Sequence, residues 1–462
     1  MDDVVAASLE VFFHPCAQMQ DMHDLPPLDI VGAEGVWLTC RDGRRIIDGI
    51  ASWWCKSFGH GHPHLLAALH RQADAFEHVI AANTTHAGLV RLCQRLLAMA
   101  NGHPAARWAA DAPAGKLEGA LSRVFLADNG STAVEVALKM ALQAQSQWGH
   151  PQRSEFACLQ GGYHGETVGT LSVGDCAMYS QPFRSKLFPS VRLHGLPERS
   201  GEADSRWLDA SAEWPAIEAQ LAPHAQRLAA IVYEPVLQGA GGMRIIDPDF
   251  LRRLRGWADA HGVLLIADEI ASGFGRCGAM LASHLAGSDA HGPLAAPDLC
   301  CLSKGLTGGV IPLSAVLLRE PIYQAFWDDY HTGKSFLHSN TWTAHPLAIA
   351  VANAVLDLCA QERWLEGIQQ QGRYLRAGMQ ELAEAFSCCG SVRGVGMMAA
   401  MELQGFSAQE RKGRQLFKAA LAHGALLRPL GDTSYLFPPL TISTQEIDQL
   451  HTCLRQACRD VL

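Results

Sequence analysis

Pro297-Asp298-Leu299-Cys300-Cys301-Leu302-Ser303-Lys304-Gly305-Leu306-Thr307-Gly308-Gly309 sets a lysine where an apolar run breaks into a glycine-rich turn. The run reads as a buried strand. Lysine is rarely placed at the edge of a core unless it is paired or has a chemical task. Arginine supplies most of the positive charge of this chain, so a lysine in an apolar setting carries information. Upstream, Gly262-Val263-Leu264-Leu265-Ile266-Ala267-Asp268-Glu269 reads as a second buried strand, and it ends in an acid. The two ends form either a salt bridge or a reactive amine with a carboxylate partner.

Composition narrows the choice. The chain has 462 residues, 48% hydrophobic and 18% charged, with a formal net charge of −9. Such a chain can bury a large core and fits a soluble globular enzyme. No lysine or arginine run exceeds two residues, which argues against nucleic-acid or membrane-surface partners. The acidic start Met1-Asp2-Asp3-Val4-Val5 does not resemble a signal peptide, and no apolar stretch is long enough to span a membrane. The 14 cysteines are scattered through apolar segments without a Cys-x-x-Cys pair, so reduced thiols and a cytoplasmic location are expected. His60-Gly61-His62-Pro63-His64 reads as a turn between two elements rather than a metal site.

Around the two strands the pattern is α/β. Strands at Arg123–Leu126, Phe156–Leu159 and Ala229–Tyr233 alternate with helical stretches at 131–146 and 249–261. This alternation predicts a mostly parallel sheet with helices on both faces. Residues 28–50 read as short strands, and 345 onward as long helices with a strand pair near 392–403 and a last strand near 434–440. The expected division is a large domain over 50–344 and a smaller α+β domain formed by 1–49 and 345–462. Residues 101–120 and 283–298 read as surface insertions.

Five further segments carry chemistry. In Ala127-Asp128-Asn129-Gly130-Ser131-Thr132 a strand runs into a helix start, which makes either an anion cradle or an ordinary N-cap. Gly161-Gly162-Tyr163-His164-Gly165-Glu166 puts a ring after a strand end, where it either stacks on a ligand or packs on the surface. Ser52-Trp53-Trp54 has two adjacent indoles, which cannot both enter one core if the segment is extended. His338-Ser339-Asn340-Thr341-Trp342-Thr343 is a polar lead-in to a helix. Arg428, in Leu427-Arg428-Pro429-Leu430, is either a fork for a substrate carboxylate or half of an internal salt bridge. An acid and a lysine at strand ends are what a pyridoxal phosphate site needs. The amine condenses with the aldehyde, and the carboxylate keeps the pyridine nitrogen protonated.

In order and spacing these segments resemble the class III aminotransferases, which have the fold type I architecture of pyridoxal-phosphate-dependent transferases. The resemblance covers nearly the whole chain. It implies that Lys304 and Asp268 are catalytic. It also implies that Gly130, Ser131, Tyr163, Asn340 and Thr341 bind pyridoxal 5′-phosphate with them, the last two from the partner subunit of a homodimer. Trp53, Tyr163, Lys304, Ser339 and Arg428, with Arg276 and Tyr435, would bind small-molecule substrate. Ser52-Trp53-Trp54, Asp268 to Arg276, Gln238 to Arg244 and Tyr435 to Pro439 are most similar to one branch of that family. That branch converts 8-amino-7-oxononanoate to 7,8-diaminononanoate with S-adenosylmethionine as amino donor, in biotin biosynthesis. Two other readings remain open: an ω-aminotransferase using a diamine, β-alanine or lysine, and a nucleotide-binding dehydrogenase. The absence of a Gly-x-Gly-x-x-Gly speaks against the dehydrogenase. The chain departs from the family in Cys16, which stands where a tyrosine is frequent, and in Glu166, where an aspartate is common.

Overall fold

A computed structural model describes residues 3–109, 120–289 and 292–462. Its centre is a seven-stranded sheet in the order Leu121–Ala127, Ser314–Arg319, Leu299–Leu302, Leu264–Asp268, Leu228–Tyr233, Glu155–Leu159, Val191–Leu193. Only Ser314–Arg319 runs against the others. This is the mostly parallel α/β sheet expected of fold type I. Its strands are apolar along their whole length because both faces are covered. Leu265 and Ala267 pack into one core layer, and Leu264 and Ile266 into the opposite one. The period of two in a strand makes that division automatic.

The helix Gly130–Gln147 lies on one face and Pro248–His261 on the other. Asp247 caps the second helix through the amide of Asp249, and left-handed Gly262 ends it before the Asp268 strand begins. Both ends of the chain meet elsewhere. Ile30–Glu34, Trp37–Cys40 and Arg45–Asp48 form an antiparallel meander, and Ala425–Leu426 joins its last strand in parallel. A second antiparallel sheet of Cys389–Val395, Met398–Leu403 and Thr433–Leu436 shares a core with helices Trp364–Ala385 and Thr444–Val461.

Two expectations need correction. The 283–298 stretch is not a surface insertion throughout, since Ser283, Ala286, Ala295 and Asp298 are buried. Asp298 accepts from Arg255 and from the Leu265 amide, tying the start of the Lys304 strand to its neighbour. Within 101–120, Asn101 and Trp108 are also buried, while residues 110–119 lie outside the described part.

Arg276 links the central sheet to the C-terminal part. Its guanidinium is buried over the Phe437 ring at 3.8 Å and donates to the carbonyls of Met397 and Pro438, both at 2.8 Å. Removing it would leave two buried carbonyls without donors, at about 1–3 kcal/mol each. Arg276→Ala should therefore lower stability by about 2–5 kcal/mol in urea unfolding. A loss under about 0.5 kcal/mol, the usual size for a surface change, would remove this structural role.

Candidate active site

The site is assembled at the carboxyl edge of the parallel strands. The register pairs Asp268 with Cys301, so Lys304 follows three residues beyond the acid's neighbour. Asp268 is 4% exposed. Its Oδ1 accepts from the Ile270 amide at 3.1 Å, and its Oδ2 pairs with His164 Nδ1 at 2.8 Å. No hydrogen bond or ion pair occupies Lys304 among the described residues. The Trp54 ring centre lies 5.3 Å from Nζ. The salt-bridge reading of the two strand ends therefore falls, because the acid is committed to histidine and the amine is left available.

Glu234 completes the buried group. It follows the end of Leu228–Tyr233 and accepts from the amides of Tyr163 and Gly239, both at 3.0 Å. Burial pushes its carboxyl up to about 7, against the pull of His164, with the charge of Asp268 adding to the rise. Burial alone would lower the His164 pKa, but the hydrogen bond and charge of Asp268 carry it above its ordinary value. The Lys304 amine is lowered by burial, partly offset by the charges of Asp268 and Glu234.

Next to this group is a cradle for an anion. Asn129 caps the helix Gly130–Gln147 by accepting from Thr132 N, and the first-turn amides of Gly130 and Ser131 have no acceptor within the helix. A Cβ on Gly130 would stand 3.0 Å from Ile270 Cδ1, and one on Gly165 only 2.1 Å from Ser131 Oγ. The turn thus fits closely between the segments that follow Asp268 and Tyr163. An available buried amine, a buried carboxylate and a helix start meet the chemical needs of pyridoxal phosphate. His164 Nε2, buried without a partner, adds a donor or acceptor at the same place.

The mouth is aromatic. The Arg428 guanidinium lies 4.4 Å from the Trp53 ring, and Nη2 donates to the carbonyl of Cys16 at 2.6 Å. No carboxylate pairs with it among the described residues, which speaks against the internal salt bridge. Tyr163 donates to Glu166 Oε1 at 2.9 Å and packs on Tyr179. Burial, then the Glu166 hydrogen bond and charge, raises its pKa. Tyr435 is buried and accepts from Trp54 Nε1 at 3.1 Å.

The tryptophan pair is not extended. Residues 51–54 all have positive φ, at 48°, 44°, 70° and 73°, which makes one turn of left-handed helix without glycine. Trp54 N and Cys55 N donate to Ile50 O and Ala51 O. A left-handed turn costs about 1–2 kcal/mol per residue. Trp54 is buried toward Lys304, and Trp53 is 41% exposed beside Arg428. Gly239 leaves room for Trp54, since a Cβ there would come within 2.9 Å of its ring.

Ser339, Asn340 and Thr341 stand apart. Their loop runs along the outer flank of the helix Gly130–Gln147, where Lys139 reaches His338 and Gln143 reaches the carbonyls of Lys334 and Ser335. No hydrogen bond joins these three residues to Gly130, Ser131, Asp268 or Lys304 of the same chain among the described residues. Asn340 Oδ1 is buried without a partner. Arg276 is held under Phe437 as described above. Glu234, His164, Trp54 and Tyr179 were not anticipated as site residues. Glu234 had a legible signal, because Ala229–Tyr233 followed by an acid repeats the pattern of the Asp268 strand.

Residues 18–458 match the family described as Aminotransferase class-III. The chain is 36% identical over 461 residues to the adenosylmethionine-8-amino-7-oxononanoate aminotransferase of Geobacter sulfurreducens, covering 97% of this chain and 96% of that protein. It is 37% identical to the protein of the same name from Synechococcus elongatus, with 95% and 96% covered. The crystal structure of the Methanocaldococcus jannaschii protein of that name superposes with a TM-score of 0.86 at 27% identity over 99% of both chains. A PLP-bound amine transaminase from an uncultivated Pseudomonas species superposes at 0.84, with 32% identity over 98% of this chain and 99% of its own. With its sheet, its strand-end lysine and acid, and this match over nearly its whole length, the chain belongs to the class III aminotransferases.

Proposed function

We propose that the chain transfers an amino group from S-adenosylmethionine to 8-amino-7-oxononanoate, giving 7,8-diaminononanoate for biotin biosynthesis, with pyridoxal 5′-phosphate as cofactor. The observation that carries this reading is that Trp54 lies beside the available Lys304 amine and the adjacent Trp53 beside Arg428, which has no carboxylate partner among the described residues. The printed names of relatives more than 30% identical over nearly full length support the choice of substrates.

When bound, pyridoxal phosphate supplies the aldehyde that takes up the amine and a ring that draws electrons from the adjoining carbon. Lys304 Nζ, which its lowered pKa leaves more readily in the neutral form, accepts the proton that leaves the donor's amine-bearing carbon. In the other half-reaction it delivers a proton to the carbon that gains the amine. Asp268, held by His164 and the Ile270 amide, presents a fixed negative charge to the ring nitrogen. Gly130 and Ser131 offer amides and a hydroxyl to the phosphate. Arg428 takes the carboxylate of the keto acid, its plane held by Trp53 and the Cys16 carbonyl. Tyr163 and Tyr435 line the pocket between.

A homodimer belongs to this reading. Asn340 and Thr341 reach no cofactor-binding residue of their own chain, and they suit the phosphate of a second copy. Exposed Trp342 and Leu337 in and beside that loop supply apolar surface for a partner to cover. Fourteen free thiols fit a cytoplasmic enzyme. Among the described residues no helix is long and apolar enough to cross a membrane.

Purified enzyme should lose the absorbance of bound aldehyde on addition of S-adenosylmethionine and regain it with 8-amino-7-oxononanoate. Bleaching by lysine or a diamine but not by S-adenosylmethionine would transfer the reading to an ω-aminotransferase. Arg428→Ala should raise KM for the keto acid by about tenfold to a hundredfold while leaving the first half-reaction within about twofold. Equal damage to both halves in stopped-flow traces would contradict that role. Glu234 makes a pH prediction. Its raised pKa keeps a proton in the folded state that the unfolded state loses, so it weakens the fold as pH climbs from about 4.5 to about 7. Glu234→Gln should thus lose less stability than the parent between about pH 5 and about pH 7.5 in urea unfolding. Parallel pH curves would count against it.

A further inference from the structure

The left-handed turn at 51–54 has a brace that the proposed chemistry does not use. Asp48 is fully buried at the end of Arg45–Asp48. Its Oδ2 accepts from Ser52 Oγ at 2.7 Å and pairs with His60 Nε2 at 3.0 Å, and its Oδ1 accepts from Ile50 N at 3.3 Å. His60 is itself anchored, exchanging both backbone hydrogen bonds with Gly35. Asp48 N donates to Val36 O. One carboxylate therefore ties the first half of the turn to the sheet.

Non-glycine residues do not hold four successive left-handed positions unless their surroundings over-determine them. The second half of the turn has two tasks at once. Trp54 faces the Lys304 amine and donates to Tyr435, while Trp53 lies on Arg428. A right-handed turn would send successive side chains in other directions and part both rings from their partners. The turn is closed in from outside as well. A Cβ on Gly309 would strike Cys55 at 2.9 Å, so this glycine admits the exit of the turn.

We propose that Asp48, Ser52 and His60 are positioning residues. They hold the 51–54 turn left-handed and so set the distance between the amine end and the carboxylate end of the pocket. No member of the trio is assigned a contact with substrate. The inference rests on the reading of Lys304 and Arg428 given above, but its readouts do not depend on the identity of the amino donor.

The test is a series at Ser52 in the cofactor-loaded enzyme. Ser52→Ala removes the hydroxyl and keeps the left-handed penalty. Ser52→Gly removes the hydroxyl and the penalty together. Ser52→Ala should change the near-ultraviolet circular dichroism of the tryptophans and raise KM for the keto acid about tenfold, and Ser52→Gly should recover most of both. His60→Gln, outside the turn, should repeat the Ser52→Ala pattern in weaker form. If alanine and glycine are equally impaired, the hydroxyl acts directly on substrate and the proposal fails. If all three variants lose melting temperature but keep parental dichroism and KM, the trio is merely structural and the proposal also fails. Should the parent refuse 8-amino-7-oxononanoate, the substrate reading alone is lost. The dichroism and the KM of whichever acceptor restores the absorbance would still decide the brace.

Discussion

The parallel pairing of Leu264–Asp268 with Leu299–Leu302 is the constraint on which the site depends. Parallel strands end on the same edge, so residues far apart in sequence arrive side by side. Asp268 and Lys304 follow adjacent strands, Glu234 and His164 the next two, and Gly130 the outermost. The residues beyond the strand ends are then free of ladder hydrogen bonding, and α/β sheets bind ligands at that edge for this reason. Only Ser314–Arg319 runs the other way, and it brings no site residue to the edge.

The electrostatics of that edge follow from burial. Two carboxylates and an imidazole are buried there beside a half-buried lysine. Each carboxylate has a different remedy. Asp268 has a histidine and an amide, and Glu234 has two amides and a raised pKa. The amine has no hydrogen bond among the described residues, and the charges of Asp268 and Glu234 offset its burial only in part. A poorly compensated ammonium is expensive, and the cost is relieved when the lysine is neutral. Neutral lysine is also the form that can act as base or nucleophile, so the chemistry and the energetics favour the same state.

Two strained or close-packed places set the shape of the pocket. The turn at 51–54 holds its tryptophans in a conformation that side chains disfavour. The Gly165–Ser131 contact brings the tyrosine loop against the anion cradle at a distance that no Cβ tolerates. Cys16 contributes its backbone carbonyl to Arg428. Its thiol faces Glu166, and burial followed by the Glu166 charge raises its pKa.

Local pattern determined a good part of this protein. An apolar run with a lysine or an acid at its end can be read without a fold, because burial and chemistry act on neighbouring residues. Lys304, Asp268 and the Asn129-Gly130-Ser131 turn are of that kind, as is the alternation that makes the sheet parallel. Other features depend on contacts between distant segments. The commitment of Asp268 to His164, the freedom of Arg428 from any carboxylate among the described residues and the interior position of Arg276 are examples. The left-handed turn is the clearest case. Nothing in Ala51-Ser52-Trp53-Trp54 favours positive φ, and only the tertiary structure, through Asp48, His60 and the space left by Gly239 and Gly309, decides that Trp54 faces the lysine and Trp53 the arginine.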